Sequence, residues 1–174
     1  VGSEMCIRDR LMEILFGGIP GRPIGDGIDG HSWWPLVENI PIEHLETYYP
    51  LAIEGYNSAA DSGGAGLHRG GNGIEKVYHL LAEGEVSIHD DRHESQPWGI
   101  LGGRPGAVSA KWLIRKDGEK TALPSKIDNL HVRPADREVY RTAGGGGRGR
   151  GACGCRRIHS SRHCLLYTSD AADE

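Results

Sequence analysis

One segment, Asp61 to Gly73, combines many glycines with side chains that could act on a substrate. Glycine lets the backbone adopt positive φ and lets a ligand approach the amides closely, which is how backbone nests for anions form. Asp61, Ser62 and Arg69 add a carboxylate, a hydroxyl and a guanidinium, and a guanidinium matches carboxylate or phosphate oxygens two at a time. The segment is therefore a candidate site for an anionic group. A tight loop whose glycines serve packing alone would give the same pattern, and the sequence leaves both interpretations open.

These glycines do not follow a known nucleotide-binding pattern. No Gly-Lys-Ser or Gly-Lys-Thr follows them, and Gly64-Ala65-Gly66 lacks the third glycine of the dinucleotide fingerprint. A Gly-x-Ser-x-Gly elbow for a serine nucleophile is also missing. We therefore expect no nucleotide on this segment.

Asp26, Asp29 and His31 form a second group, on a loop dense in glycine and proline. Their oxygen and nitrogen atoms could hold a divalent metal, but three groups alone do not make a site, and the ligand spacing of an EF-hand is absent. Asp-Gly pairs are common in turns, and this interpretation explains the same residues more simply. We therefore predict turns here and no metal site.

The run from His89 to His93 is the densest group of titratable residues, and an Asp-His pair can orient a general base. On a strand, adjacent side chains point to opposite faces, so His89 and Asp90 cannot face one pocket. His89, Asp91 and His93 would share a face if the strand continued through them. Otherwise the run is a solvated strand end, which is the commoner case.

Charge and composition limit the possible partners. The chain has a net charge of -4, and residues 11–147 hold 13 Lys and Arg against 19 Asp and Glu, a net of -6. A positive field that would steer nucleic acid is therefore not expected. No apolar run approaches the ~18 residues that span a bilayer, so no membrane partner is expected and we predict a cytoplasmic protein.

Both ends of the chain differ from the rest. Residues 1–10 and the last residues from Cys164 resemble translated sequencing adaptors, and the arginine-rich stretch after Gly147 is typical of a shifted reading frame. We therefore predict that residues 1–10 and 148–174 are non-native and that 148–174 are disordered. Cysteine and histidine near the carboxyl end could suggest zinc, but Cys153 and Cys155 are separated by one residue instead of the usual two to four.

Residues 11–147 predict an α+β fold, mostly antiparallel, with glycine-rich loops and one short helix. The helix follows Asn39 as a possible cap, includes Ile42, Leu45 and Tyr49 at helical spacing, and ends at Pro50. One hairpin is predicted at Ala82-Glu83-Gly84 and another at Asp117-Gly118, a strong hairpin signal. Strand-like runs are residues 51–56, 74–81, 85–90, 111–115, 120–123, 127–132 and 137–141.

Taken in order, the loops of this chain resemble the hydantoinase B/oxoprolinase family. The matching pieces cover residues 13–147 and are Asp26-Gly27-Ile28-Asp29-Gly30, the spaced Asn39, Pro41, Glu43, Glu46 and Pro50, Asp61-Ser62-Gly63-Gly64-Ala65-Gly66, Arg69-Gly70-Gly71, Gly73, Asp91-Arg92, Pro97-Trp98-Gly99, Gly102-Gly103-Arg104-Pro105-Gly106, Leu123-Pro124-Ser125-Lys126 and Gly144 to Gly147. After the residues that correspond to Gly144 to Gly147, the family usually continues with an aromatic residue and Gly-Asp-Pro, whereas this chain reads Arg148-Gly149-Arg150.

The resemblance implies a carboxy-terminal fragment of an enzyme whose partner, a hydantoinase A-like subunit or domain of actin fold, activates the substrate with ATP. It implies ring opening of a cyclic amide (hydantoin or 5-oxoproline), with a divalent metal held in an amino-terminal half upstream of these residues. A ketone carboxylase subunit and a non-catalytic scaffold that binds the ATP-using partner are the alternatives. We expect Asp61, Ser62 and Arg69 to line or support the active cleft. The expected substrate-binding residues are Asp26, Asp29, His31, Gly63, Gly64, Arg92 and Trp98.

Overall fold

The computed structural model of the protein describes residues 11–31 and 39–151. Its elements, in chain order, are α1 (Ile42–Tyr48), β1 (Leu51–Ser58), β2 (Ile74–Leu80), β3 (Gly84–His89), β4 (Ala110–Ile114), β5 (Lys120–Ala122), β6 (Lys126–Val132) and β7 (Arg137–Arg141). All strand pairs are antiparallel. The predicted α+β class with one short helix is therefore confirmed. Residues 1–10 and 152–174, which include the cysteines predicted not to bind zinc, lie outside the described residues.

Five strands form one sheet in the order β1-β2-β7-β4-β5. β2 and β4 alternate between buried and half-buried residues, as expected when one face of a sheet packs on a core. β4 and β5 form the hairpin predicted at Asp117-Gly118, where Gly118 has φ +89° and Asp117 caps the backbone N–H of Glu119. This hairpin prediction is confirmed.

β3 and β6 form a separate two-stranded sheet, in which Gly84 lies opposite Val132. The hairpin predicted at Ala82-Glu83-Gly84 is therefore wrong. β2 lies between β1 and β7 instead, with Leu51 opposite Leu80, so both of its edges are already paired. A central position satisfies the backbone groups on both edges of β2, and this outweighs a weak local turn signal.

The helix α1 packs on β1 and closes one end of the core. Leu45 is fully buried against the cluster that includes Leu51 and Leu80. The cap predicted at Asn39 is wrong, because Pro41 takes the N-cap position without a side-chain bond. The Asn39 amide instead bonds to the backbone N–H and C=O of Ile14, which ties the amino-terminal segment to the helix. No helix in the described ranges is long and apolar enough to cross a bilayer.

Charged groups lie inside the core beneath the sheet. Lys76 is 2% exposed, and its Nζ lies 2.8 and 3.0 Å from the two carboxylate oxygens of Glu13. The hydroxyl of Tyr78 donates to the same carboxylate. This pairing holds the segment that precedes the first glycines against β2, because a buried charge without its partner is strongly unfavourable.

A second buried acid, Glu138, lies opposite Tyr78 on β7. Its Oε2 accepts a hydrogen bond from Tyr140 at 2.9 Å, while Oε1 has no partner among the described residues. Burial is the main reason that the pKa of Glu138 rises to about 7. The acid is therefore largely protonated at mildly acidic pH.

The remaining interior is made of glycine backbone and has few side chains. The segment Ala143–Arg148 runs through its centre, surrounded by residues 17–21, 62–66, 68–71, 97–100 and 104–107; this assembly is called the glycine bundle below. Residues three apart in the central segment bond the same neighbouring segment. Gly144 donates to Ala107 and Gly147 donates to Arg104, both in residues 104–107. Three residues per turn is the period of a polyproline II helix, which has no internal hydrogen bonds, so its backbone groups are free to bond neighbouring segments.

Close approach of backbones explains why this region is rich in glycine. A Cβ at Gly146 would lie 1.9 Å from the carbonyl oxygen of Trp98, and one at Gly70 would lie 1.9 Å from that of Gly145. No side chain fits at such distances. The backbone hydrogen bonds of the bundle continue beyond the boundary predicted at residue 147. Arg148 and His68 each donate a backbone N–H to the carbonyl of the other, and Gly149 donates to Ile100.

Candidate functional site

The loop from Asp26 to His31 lies against the segment that carries Arg69. Asp26 Oδ1 accepts the backbone N–H of Arg69 at 2.9 Å, and Gly27 N donates to the Arg69 carbonyl at 2.7 Å. The guanidinium Nη1 of Arg69 donates to Asp29 Oδ1 at 2.8 Å and to the Gly70 carbonyl at 3.0 Å. Arg69 is thus brought against Asp26 and Asp29, from which it is separated by 43 and 40 residues in sequence.

Arg69 keeps a free edge in this arrangement. Its side chain is 44% exposed, and within the described ranges neither Nε nor Nη2 makes a hydrogen bond. A guanidinium held at one nitrogen and open on its other edge can still bind two oxygens of a carboxylate or phosphate.

Asp29 is itself held by Asn72. The backbone N–H of Asn72 donates to Asp29 Oδ1 at 2.8 Å, and the Asn72 Nδ2 donates to Oδ2 at 3.3 Å. The Asn72 Oδ1 accepts the backbone N–H of Gly63 at 3.0 Å. Asn72, which was not predicted as a site residue, therefore joins the Asp29–Arg69 pair to the turn at Asp61–Gly64. Its position inside a run of glycines was the only signal in the sequence.

The loop from Asp26 to His31 contributes residues to two surface cavities. The larger, of about 400 Å³, includes Arg22 and His31 among mostly apolar residues. The smaller, of about 220 Å³, is lined by Asp29 with Gly30 and by residues of β1 and β2, namely Tyr56, Asn57, Ser58 and Ile74.

The residues of β1 in the smaller cavity were not predicted as site residues. They lie at the carboxyl end of a strand and carry no charge, so no sequence pattern distinguished them. Burial, followed by the nearby charge of Glu13, raises the pKa of Tyr56. A tyrosine hydroxyl is protonated at neutral pH even without this shift, so Tyr56 can act as a hydrogen-bond donor.

The predicted residues at the start of the glycine segment have other contacts. Asp61 is exposed, with φ +57°. Ser62 is 4% exposed, and its Oγ donates to the Ala59 carbonyl and accepts the N–H of Gly73. These bonds close the segment on itself. The catalytic roles of Asp61 and Ser62 stay predictions.

The amides of this segment are used inside the protein. Gly63 N donates to Asn72 and Gly64 N donates to Gly145. Gly70 N and Gly71 N donate to the carbonyls of other bundle segments. Such bonds are what the packing interpretation of the glycines predicts, and they leave these four N–H groups unavailable to an anion. Substrate contact by Gly63 and Gly64 stays a prediction.

Arg92 and Trp98 form a separate pair. The Arg92 guanidinium lies 4.7 Å from the Trp98 ring centre, and Trp98 is 67% exposed. The Trp98 carbonyl packs on Gly146, so the pair is anchored to the bundle. Among the described residues no hydrogen bond or ion pair joins it to Asp29 or Arg69, and its role in substrate binding stays a prediction.

The alternative site at His89, Asp91 and His93 does not form as a strand face. β3 ends at His89, and Arg92 has φ +63°, so the chain bends before His93. His89 pairs with Asp128 at 3.0 Å, with both side chains more than 60% exposed. The strand does not continue through the run, so the shared-face interpretation is wrong. The run is solvated only in part, since Asp90 accepts from the buried Lys111 Nζ at 2.7 Å and His93 Nδ1 is buried.

The chain is similar in sequence to several known proteins. The model of one family, described as Hydantoinase B/oxoprolinase, matches residues 6–151. A D-/L-hydantoinase protein of the B type from Pseudomonas sp. is 32% identical over 138 residues, 78% of this chain and 23% of that protein. 5-Oxoprolinase 1 of Arabidopsis thaliana is 35% identical over 138 residues, 79% of this chain and 11% of that protein.

Two solved structures share the fold. The ATP-dependent caprolactamase from Pseudomonas jessenii superposes with a TM-score of 0.62 and 22% identity, over 90% of this chain and 27% of that one. Nucleotide-free acetone carboxylase gives a TM-score of 0.61 and 21% identity, over 73% of this chain and 21% of that one. The chain thus spans between about a tenth and about a quarter of the length of the proteins it matches.

Proposed function

Because this chain belongs to the hydantoinase B/oxoprolinase family, we propose that it forms part of an ATP-dependent enzyme that opens cyclic amides. Hydantoin and 5-oxoproline are the substrate candidates, since relatives at 32% and 35% identity are named for them. ATP would be used by a partner subunit or domain of actin fold. Because the reaction consumes ATP, we place the enzyme in the cytoplasm.

The observation that carries the proposal is how the Arg69 guanidinium is held and exposed. One nitrogen of its guanidinium is held by Asp29, which also lines the smaller cavity, and the Arg69 side chain is 44% exposed. Ring opening of an activated amide passes through species rich in negatively charged oxygen, which a fixed guanidinium stabilises. We assign Arg69 to the carboxylate of 5-oxoproline or to a phosphorylated intermediate.

The neighbouring residues take supporting roles. Asp26 and Asp29 fix the backbone and the side chain of Arg69, and His31 with Arg22 lines the larger cavity. Ser62 closes the glycine segment that carries Arg69, while we propose substrate contacts by Asp61, Arg92 and Trp98 from the family resemblance alone. Within the described ranges no three or more His, Cys, Asp or Glu residues lie close enough to bind a metal. As the family resemblance implies, we assign a divalent metal to the part of the longer relatives that this chain does not span.

The test uses the complete enzyme assembled with its ATP-using partner. Replacing Arg69 by Ala should lower kcat/KM for hydantoin or 5-oxoproline by about 10- to 100-fold, the cost of one hydrogen bond to a charged group. Arg69→Lys should recover part of this loss, because lysine keeps the charge but not the planar fork. Arg133→Ala is the control, since that exposed guanidinium makes no hydrogen bond within the described ranges. Normal turnover by Arg69→Ala would contradict the proposal.

A ketone carboxylase is the second candidate, supported by the fold shared with acetone carboxylase. ATP consumption that requires acetone and bicarbonate, and ignores both cyclic amides, would establish it in place of ring opening. A scaffold role is the third. In that case the partner subunit would bind normally, and no substitution in the cleft would change the rate with any of these substrates.

A further inference from the structure

Asn72 makes four hydrogen bonds although it is only 8% exposed. Its backbone and side-chain nitrogens donate to the two carboxylate oxygens of Asp29. Its side-chain oxygen accepts from Gly63, and its carbonyl accepts from Gly30. Each polar atom of the residue is thus in use.

The chemistry of the neighbours determines how the Asn72 amide is oriented. Gly63 presents an N–H and needs an acceptor, whereas the Asp29 carboxylate can only accept and needs a donor. Asparagine supplies both from one planar group. Aspartate in the same place would keep the acceptor for Gly63 but would lose the donor to Asp29.

Asp29 is the only side chain among the described residues that holds the Arg69 guanidinium. Oδ1 of Asp29 accepts from both Arg69 and the Asn72 backbone, so the carboxylate cannot rotate without losing one of them. The Asn72 side chain restrains the other oxygen, Oδ2. The orientation of the arginine therefore depends on a residue that does not contact it.

We propose that Asn72 is a positioning residue that sets the Arg69 guanidinium through Asp29. The inference rests on the proposed function, because it matters only if Arg69 contacts the substrate or an intermediate. A purely structural Asn72 would instead serve the bundle through Gly63 and leave Arg69 unaffected. The two roles use different atoms of the same side chain, and this allows them to be separated.

Asn72→Asp is the informative substitution, measured in the complete enzyme with hydantoin or 5-oxoproline over pH 5.5 to 8.5. It keeps the acceptor for Gly63 and places a second carboxylate beside Asp29, near the charges of Arg69 and Asp26. We expect kcat/KM to fall about tenfold at high pH, as for a lost hydrogen bond to a charged group. At low pH the two carboxyl groups can share a proton, which restores a donor, and activity should recover relative to wild type.

Three further measurements complete the test. Asn129→Asp adds the same charge at an exposed position outside the cleft and should leave the pH profile unchanged. The change in Asn72→Asp should affect KM and kcat in the same proportion as Arg69→Ala does. In the double variant of Arg69→Ala and Asn72→Asp the two losses should not add, because both act through one group.

The outcomes separate this inference from the proposed function. If Arg69→Ala loses activity while Asn72→Asp matches wild type at every pH, the positioning role of Asn72 is wrong. The proposed role of Arg69 is then still supported. If the two losses add in the double variant, Asn72 acts independently of Arg69 and the inference also fails. If Arg69→Ala itself keeps normal turnover, the proposed function fails first.

Discussion

The five-stranded sheet and the glycine bundle satisfy buried backbone groups in two different ways. In the sheet, ladder bonds run between strands and the side chains fill the space beneath, including the buried pair Lys76 and Glu13. In the bundle, bonds point outward from a central segment to five neighbours, and the neighbouring backbones themselves fill the space. A side chain in the sheet can therefore be exchanged at a graded cost, whereas a Cβ in the bundle meets main-chain atoms that cannot give way.

The strongest test of this difference is Gly146→Ala in the bundle. The new Cβ would lie 1.9 Å from the Trp98 carbonyl oxygen, so whole segments must separate. We expect a loss of more than about 4 kcal/mol in the free energy of unfolding, measured by denaturant titration. Gly84→Ala is the matched control, since its nearest neighbour would be 3.9 Å away, and it should change stability by less than about 0.5 kcal/mol. Equal effects would show that the bundle is not close-packed.

The second test removes one charge beneath the sheet. Lys76→Met leaves Glu13 buried without its cation, which should cost about 3–5 kcal/mol in unfolding free energy. Adding Glu13→Gln to this variant removes the orphaned charge and should restore most of the stability. If the double variant is as unstable as the single one, packing of the lysine stem matters more than its charge.

The third test concerns Glu138, a second buried acid of the core beneath the sheet. Burial raises the folded-state pKa of Glu138 to about 7 from an ordinary value of 4.5, so the folded chain binds this proton more tightly than the unfolded chain. Its contribution to stability is complete below about pH 4.5 and is lost as pH rises through 7, by up to about 3 kcal/mol. Glu138→Gln should remove this dependence and stabilise the protein at pH 8.

Thermal and denaturant unfolding of the wild type and of Glu138→Gln, each at pH 5 and pH 8, would check the Glu138 prediction. Tyr140→Phe is a useful companion variant, because it removes the hydroxyl that donates to Glu138 without adding charge. If wild type and Glu138→Gln lose stability in parallel across this range, another group accounts for the pH dependence.

Much of the sheet could be predicted from local patterns. The strand-like runs at residues 74–81 and 111–115 predicted β2 and β4, and Asp117-Gly118 predicted the hairpin between β4 and β5. The prediction of a hairpin at Ala82-Glu83-Gly84 was wrong because β2 pairs with β7, which follows much later in the chain, and not with β3. Asn39 failed as a cap because it bonds Ile14, a residue that no helical pattern connects to it.

The candidate site was predictable in part. The types of Asp26, Asp29 and Arg69 indicated polar chemistry, and the fold brings them into contact. Asn72 and the residues of β1 in the smaller cavity were missed, because their importance comes only from what lies beside them.

The sequence alone determined which segments could become strands and where backbones could approach closely, since side-chain alternation and the absence of Cβ are local properties. Only the tertiary structure decided which carbonyl each glycine N–H would bond. Gly18 bonds Ala143, and Gly145 bonds Gly71, across long stretches of chain. Such partners carry no side-chain signature, because backbone groups are the same in every residue, and so their pairing follows from the packing of the whole molecule.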